Sequence, residues 1–139
     1  MFKYNIDYKR RDALIFGDIC QPEEKWVGGI KQFSISPSVL KQLIEERFID
    51  PEDSQNDSPT AREFSEFFDN ASDPDEWRAH GYAVSHDRED YRISIEGCVA
   101  EWWLREADSH QADMIAFANL FRLADEFELT TTKAYCWYD

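Results

Sequence analysis

No stretch of this sequence stays apolar over the roughly 18 residues that a bilayer-spanning helix requires, which excludes a helical membrane protein. The start, Met1-Phe2-Lys3-Tyr4, has no apolar signal core followed by a small-residue cleavage site. The expected location is therefore cytoplasmic. Cysteine is scarce too: Cys20, Cys98 and Cys136 are odd in number and widely spaced. That pattern suits reduced, buried thiols and not a disulfide framework.

Chemistry-bearing motifs are also missing. There are three histidines, and no His-x-x-x-His or Cys-x-x-Cys spacing occurs. His86-Asp87 resembles half of a metal pair but falls in a hairpin loop without further ligands, so no metal site and no cofactor are assigned. No Gly-x-Ser-x-Gly elbow is present, and Gly28-Gly29 lacks the surrounding fingerprint of a phosphate cradle. No catalytic residue is assigned, and the reading leans away from an enzyme.

Positive charge is the largest deficit. Fifteen Lys and Arg face 29 Asp and Glu, a formal charge of −14. Such a field repels nucleic-acid phosphate and anionic lipid, so direct binding to either is disfavoured, while a basic protein is attracted. The imbalance concentrates between residues 50 and 76, where Asp50, Glu52, Asp53, Asp57, Glu63, Glu66, Asp69, Asp73, Asp75 and Glu76 stand against Arg62 alone. Trp77 follows directly and has the character of an aromatic anchor. Asp50, Glu52, Asp53, Asp57, Asp69, Asp73, Asp75, Glu76 and Trp77 are thus the candidate partner-binding residues.

The composition is that of a globular chain, 42% hydrophobic and 15% aromatic over 139 residues. A single domain, 1–139, is expected. Its clearest element is Tyr91 to Trp103, a long strand. Tyr91, Ile93, Ile95, Val99 and Trp103 alternate against Arg92, Ser94 and Glu96, and beyond Gly97 the second side turns apolar with Cys98, Ala100 and Trp102. This predicts a central strand covered on both faces at its far end.

Before it, Phe2–Lys9 and Ala13–Cys20 read as a strand pair and Trp26–Ile35 as a third strand, bulged at Gly28-Gly29. Ser36-Pro37 opens a helix to about Phe48, and Thr60 with Glu63 spells a capping box for a second helix carrying Phe64, Phe67 and Phe68. Trp77–Ser85 pairs with the long strand; placing Val84 opposite Tyr91 puts Tyr82 opposite Ile93 and His80 opposite Ile95, on the apolar side. A third helix runs over about His110–Glu128, and the last ten residues close the sheet.

The expected fold is α+β: a largely antiparallel sheet of about six strands, in the order βββ-αα-ββ-α-β, with three helices packed mainly on one face. The expected function is that of an acidic, non-enzymatic module binding a basic partner, such as an immunity, anti-restriction or other inhibitor protein of a nucleic-acid-handling enzyme. The alternative is a small-molecule or enzymatic domain with a cleft between sheet and helices lined by Trp26, Trp102, Trp103, Tyr135 and Trp137. An unpaired edge of the N-terminal hairpin would also permit a homo-oligomer.

Overall fold

In chain order the elements are α1 (Tyr8–Phe16), β1 (Ile30–Ile35), α2 (Pro37–Glu45), α3 (Ala61–Asp69), β2 (Trp77–Val84), β3 (Ile93–Glu101), α4 (Gln111–Phe121), β4 (Glu126–Leu129) and β5 (Lys133–Trp137). Single 3₁₀ segments, Pro74–Glu76 and Leu104–His110, precede β2 and α4. This computed structural model describes residues 2–17, 28–89 and 92–139. Among the described residues no helix is long and apolar enough to cross a membrane.

The five strands form one antiparallel sheet, ordered β1-β2-β3-β5-β4, so the long strand is the central one. Ile15 of α1, Leu40 and Leu43 of α2, Phe64, Phe67 and Phe68 of α3, and Phe117 and Phe121 of α4 join a single core. The sheet contributes Phe33, Ile35, Ala79, Ala83, Ile93 and Ile95 to it, among others. Both expected caps form: Ser36 Oγ accepts from Val39 N–H, and Thr60 and Glu63 bond reciprocally to each other's backbone N–H. Each satisfies donors that a helix start would otherwise leave orphaned.

The N-terminal hairpin does not form. Asp7 accepts from Arg10 N–H and caps α1, which occupies residues assigned to both expected strands; Cys20, Trp26 and Val27 lie outside the described residues. Ahead of α1 the alternation of Phe2 to Asp7 buries nothing, with Ile6 81% exposed. This segment instead crosses the C-terminal end of α2. Asn5 donates from its backbone to Arg47 O (2.9 Å) and from its side chain to Glu46 O (3.0 Å), satisfying carbonyls at the helix end. The hairpin edge expected to pair between copies is therefore absent among the described residues. Gly28 and Gly29, expected as a bulge, form a turn with φ of 63° and 78° that leads into β1.

The last helix is also shorter than expected. It stops at Phe121 because Glu126-Phe127-Glu128-Leu129 alternates as a strand, pairing Phe127 with Cys136 and Leu129 with Ala134. Phe127 then stacks on Phe117 at 5.4 Å and closes the core edge. The expected three helices and about six strands become four and five among the described residues. Cys98 and Cys136 face each other across β3 and β5 as buried free thiols, 3.7 Å apart, and burial pushes the Cys98 pKa up. Cys20 lies outside the described residues.

Candidate functional site

The strand that organises the chain also changes phase partway along. Ala83 pairs with Ile93 and Gly81 with Ile95, but His80 pairs with Gly97, so Glu96 is an extra residue in a β-bulge. One inserted residue exchanges the two faces of a strand. Ile93 and Ile95 before the bulge, and Cys98, Ala100 and Trp102 after it, all reach the helix-covered core. The apolar turn of the second side thus reflects a bulge and not burial on both faces: Val99 is only half-buried and Trp103 is 71% exposed. The expected register is displaced as well, and His80 moves to the face away from the core.

That face is free of helices in its grooves among the described residues. Across its middle runs a row of register partners from all five strands: Ser34, His80, Gly97, Trp137 and Glu126. Gly97 lets the His80 ring lie down over β3, where it is 6% exposed and its Nε2 meets Cys136 O at 2.9 Å. A carbonyl only accepts, so Nε2 carries the proton in this tautomer and Nδ1 is left as an acceptor. Burial pulls the His80 pKa down, against the opposing pull of the Cys136 hydrogen bond. Its ring stacks on Trp137 at 4.6 Å, and Tyr82 meets Trp137 edge-on at 5.6 Å. Together with Tyr135, Glu126 and Asp139 they line a groove of about 340 Å³.

A second groove of about 550 Å³ adjoins it through Tyr82 and extends to Arg92. Here Ser94 Oγ donates to Glu96 Oε2 (2.9 Å), and Asn56 Nδ2 donates to Glu96 Oε1 and to Tyr138 O, both at 3.3 Å. Burial raises the Glu96 pKa, and the Asp139 charge adds to the rise. Asn56 and Asp57 both adopt left-handed backbone, φ 54° and 65°, to bring the loop over this end of the sheet.

At the opposite end of β3, Glu76, Glu101, Trp102, Trp103 and Glu106 line a groove of about 450 Å³. His110 stacks on Trp102 at 4.6 Å with the rings 3° apart. Its Nδ1 lies 2.8 Å from Glu106 O and its Nε2 lies 2.6 Å from Glu76 Oε2. Two acceptors, one on each nitrogen, favour the doubly protonated ring. Burial alone would lower the His110 pKa, but the bonds to Glu106 and Glu76, with the charges of Glu76 and Asp113, raise it overall. A histidine raised on folding stabilises the fold fully below its unfolded value of 6.5 and loses that contribution as pH climbs through the higher folded value. Urea melts from about pH 6 to about pH 9 should show stability falling over that window. His110→Gln should flatten the fall.

Among the nine residues singled out, the acidic ones divide between the two ends of α3, which rises ~12 Å at 1.5 Å per residue. Toward its start, Asp50 accepts from Glu52 N–H, Glu52 pairs with Arg62 at 2.8 Å, Asp53 accepts from Gln55, and Asp57 is exposed. Toward its end, Asp69 pairs with Lys41 at 2.9 Å, Asp73 caps the 3₁₀ turn, Asp75 is exposed, and Glu76 holds His110. Trp77 is not an exposed anchor. It begins β2 on the core face, is 1% exposed, and meets Phe67 edge-on at 4.8 Å. The exposed indole at this end is Trp103, which sequence reasoning assigned to a cleft between sheet and helices. Tyr135 and Trp137 face away from the helices, Trp102 is buried, and Trp26 lies outside the described residues, so that cleft is not what these aromatics form. Among the described residues no three His, Cys, Asp or Glu side chains cluster to hold a metal. No protein-family model matches this chain, and no curated protein or solved structure is significantly similar to it.

Proposed function

We propose that this chain is an acidic, non-enzymatic binding module, working in the cytoplasm, that docks a basic protein as an inhibitor of a nucleic-acid-handling enzyme would. The observation that carries this reading is Trp103. It is 71% exposed, its neighbour Leu104 is 65% exposed, and the adjoining groove has only Glu76, Glu101 and Glu106 as charged side chains. An exposed indole rimmed by carboxylates is the arrangement that gives both an apolar anchor and electrostatic steering toward a basic surface. Asp73 caps the 3₁₀ turn that contains Asp75 and Glu76, which adds negative charge next to Glu76 in the chain.

A pull-down from the native host at about 50 mM and about 500 mM salt tests the reading, since exposed charge pairs are screened beyond roughly 10 Å at physiological salt and above. A basic protein retained at low salt and weakened at high salt is the expected result. Reversing Glu101 and Glu106 to Lys should then slow association by about tenfold and flatten its salt dependence. Unchanged association would remove the mechanism. Empty pull-downs together with a metabolite that raises the melting temperature would favour the second reading, a small-molecule site in the groove between Asn56, Tyr82 and Glu96.

A further inference from the structure

The groove of His80, Tyr82, Glu126, Tyr135, Trp137 and Asp139 has a chemistry of its own. No Lys or Arg lines it. Glu126 makes no ion pair among the described residues, and Asp139 Oδ1 accepts only the Trp137 indole N–H, at 2.7 Å. His80 is nine-tenths buried, and with Nε2 committed to Cys136 O its Nδ1 is an acceptor without a partner among the described residues. Two carboxylates and an imidazole lone pair therefore line one groove with an aromatic floor, where the Gln32 amide and the tyrosine hydroxyls are neutral donors and no cation offsets the negative charge. The carboxylates and His80 do not cluster as a chelating set, so a compact metal ion is the wrong occupant. A delocalised organic cation, spread over several acceptors and a ring face, is the right one.

We propose that this groove is a guanidinium pocket that takes one arginine side chain of the basic protein partner. A guanidinium presents five donors in a planar fork, which suits acceptors arrayed around ring edges, and it stacks on aromatic faces where an ammonium acts as a point charge. Tyr135 already takes one cation of the chain's own on the side away from Trp137. Lys133 Nζ sits 5.6 Å over the Tyr135 ring and 3.5 Å from Glu128. Lys133 and Trp137 flank Tyr135 along β5, so the side toward Trp137 and Glu126 is the one left for a ligand. The source of the arginine rests on the basic-partner reading; the pocket chemistry does not.

The test is titration of the isolated protein with N-acetyl-arginine methylamide and, at matched ionic strength, N-acetyl-lysine methylamide, followed by NMR at the Trp137 indole and the His80 ring. The arginine compound should give saturable shifts with a Kd on the order of 1 mM, and the lysine compound should bind at least about tenfold more weakly. Glu126 is exposed, so Glu126→Gln should leave the remaining spectrum in place and weaken arginine binding about fivefold. Absent saturation, equal response to lysine, or an undiminished response in Glu126→Gln overturns the pocket, and leaves the Trp103 docking reading to stand or fall by its charge reversals. Saturation by arginine with no basic protein retained from the host overturns the protein source instead.

Discussion

Gly97→Ala is expected to lower the stability of the fold by about 3 kcal/mol, at the upper end of what overpacking costs, and to lift His80 from the sheet. A Cβ at Gly97 would overlap the Cys136 carbonyl oxygen and His80 Nε2. The carbonyl is backbone in the β3–β5 pairing and cannot swing aside, so either the strands part or the ring leaves. Gly97 does not adopt the left-handed backbone of Gly28 and Gly29. Alanine carries no conformational penalty there, and its better strand entropy would on its own stabilise by about 0.5–1 kcal/mol. The steric term decides the sign. Urea unfolding measures the loss, and His80 provides an independent readout. Burial holds its pKa down in the parent; once displaced, it should titrate nearer 6.5. A variant within about 0.5 kcal/mol of the parent, with His80 still depressed, would show that the close packing over Gly97 is not what positions the ring.

The same bulge explains what the sequence conveyed and what it hid. Local signals were legible where one residue type satisfies one backbone need. Ser36-Pro37 and Thr60 with Glu63 cap the helices they were expected to cap. The alternation around Ile93 and Ile95 identified the central strand, and the class, α+β with an antiparallel sheet, followed from the order of such segments. Periodicity fails where a pattern lacks a partner. Phe2 to Asp7 alternates as well as any strand here, yet among the described residues no strand pairs with it, and its backbone serves the end of α2. Around Glu96 the extra residue exchanges the faces, and only the shift of apolar positions from odd to even beyond Gly97 records it. The reading of His80 fails for a different reason: the observed pairing of Ala83 with Ile93 is one residue away from the expected Tyr82 with Ile93, and that slip alone carries His80 from the core side to the uncovered face, whose grooves the expected register gives no reason to suspect. Charge showed the opposite limit. Composition located the acid correctly but could not reveal that Glu52, Asp69 and Glu76 already have partners within the chain.

Trp77, which opens β2, and Trp103, two residues past the end of β3, turn this lesson into a measurement. Trp103→Ala should weaken capture of the basic partner by about 2 kcal/mol, near 30-fold in Kd, while changing stability by less than about 0.5 kcal/mol. Trp77→Ala should do the reverse. Its indole is enclosed by Phe67, Phe68 and Phe117, so truncation opens a cavity in the core and costs about 3–5 kcal/mol of stability. The Arg105 guanidinium lies 5.7 Å from the Trp103 ring, which leaves an ordinary surface environment and no packing for the fold to lose. Kinetics separate the anchor from the charges around it. Losing Trp103 should speed dissociation, because an apolar contact acts after the surfaces have met, whereas reversing Glu101 and Glu106 should slow association, because their field acts before. Binding kinetics of the retained partner with each variant, beside thermal melts of the same proteins, give both numbers. If Trp103→Ala binds as the parent does while the charge variants still associate slowly, the carboxylates steer the partner to the uncovered sheet face, and Trp103 is not where it docks.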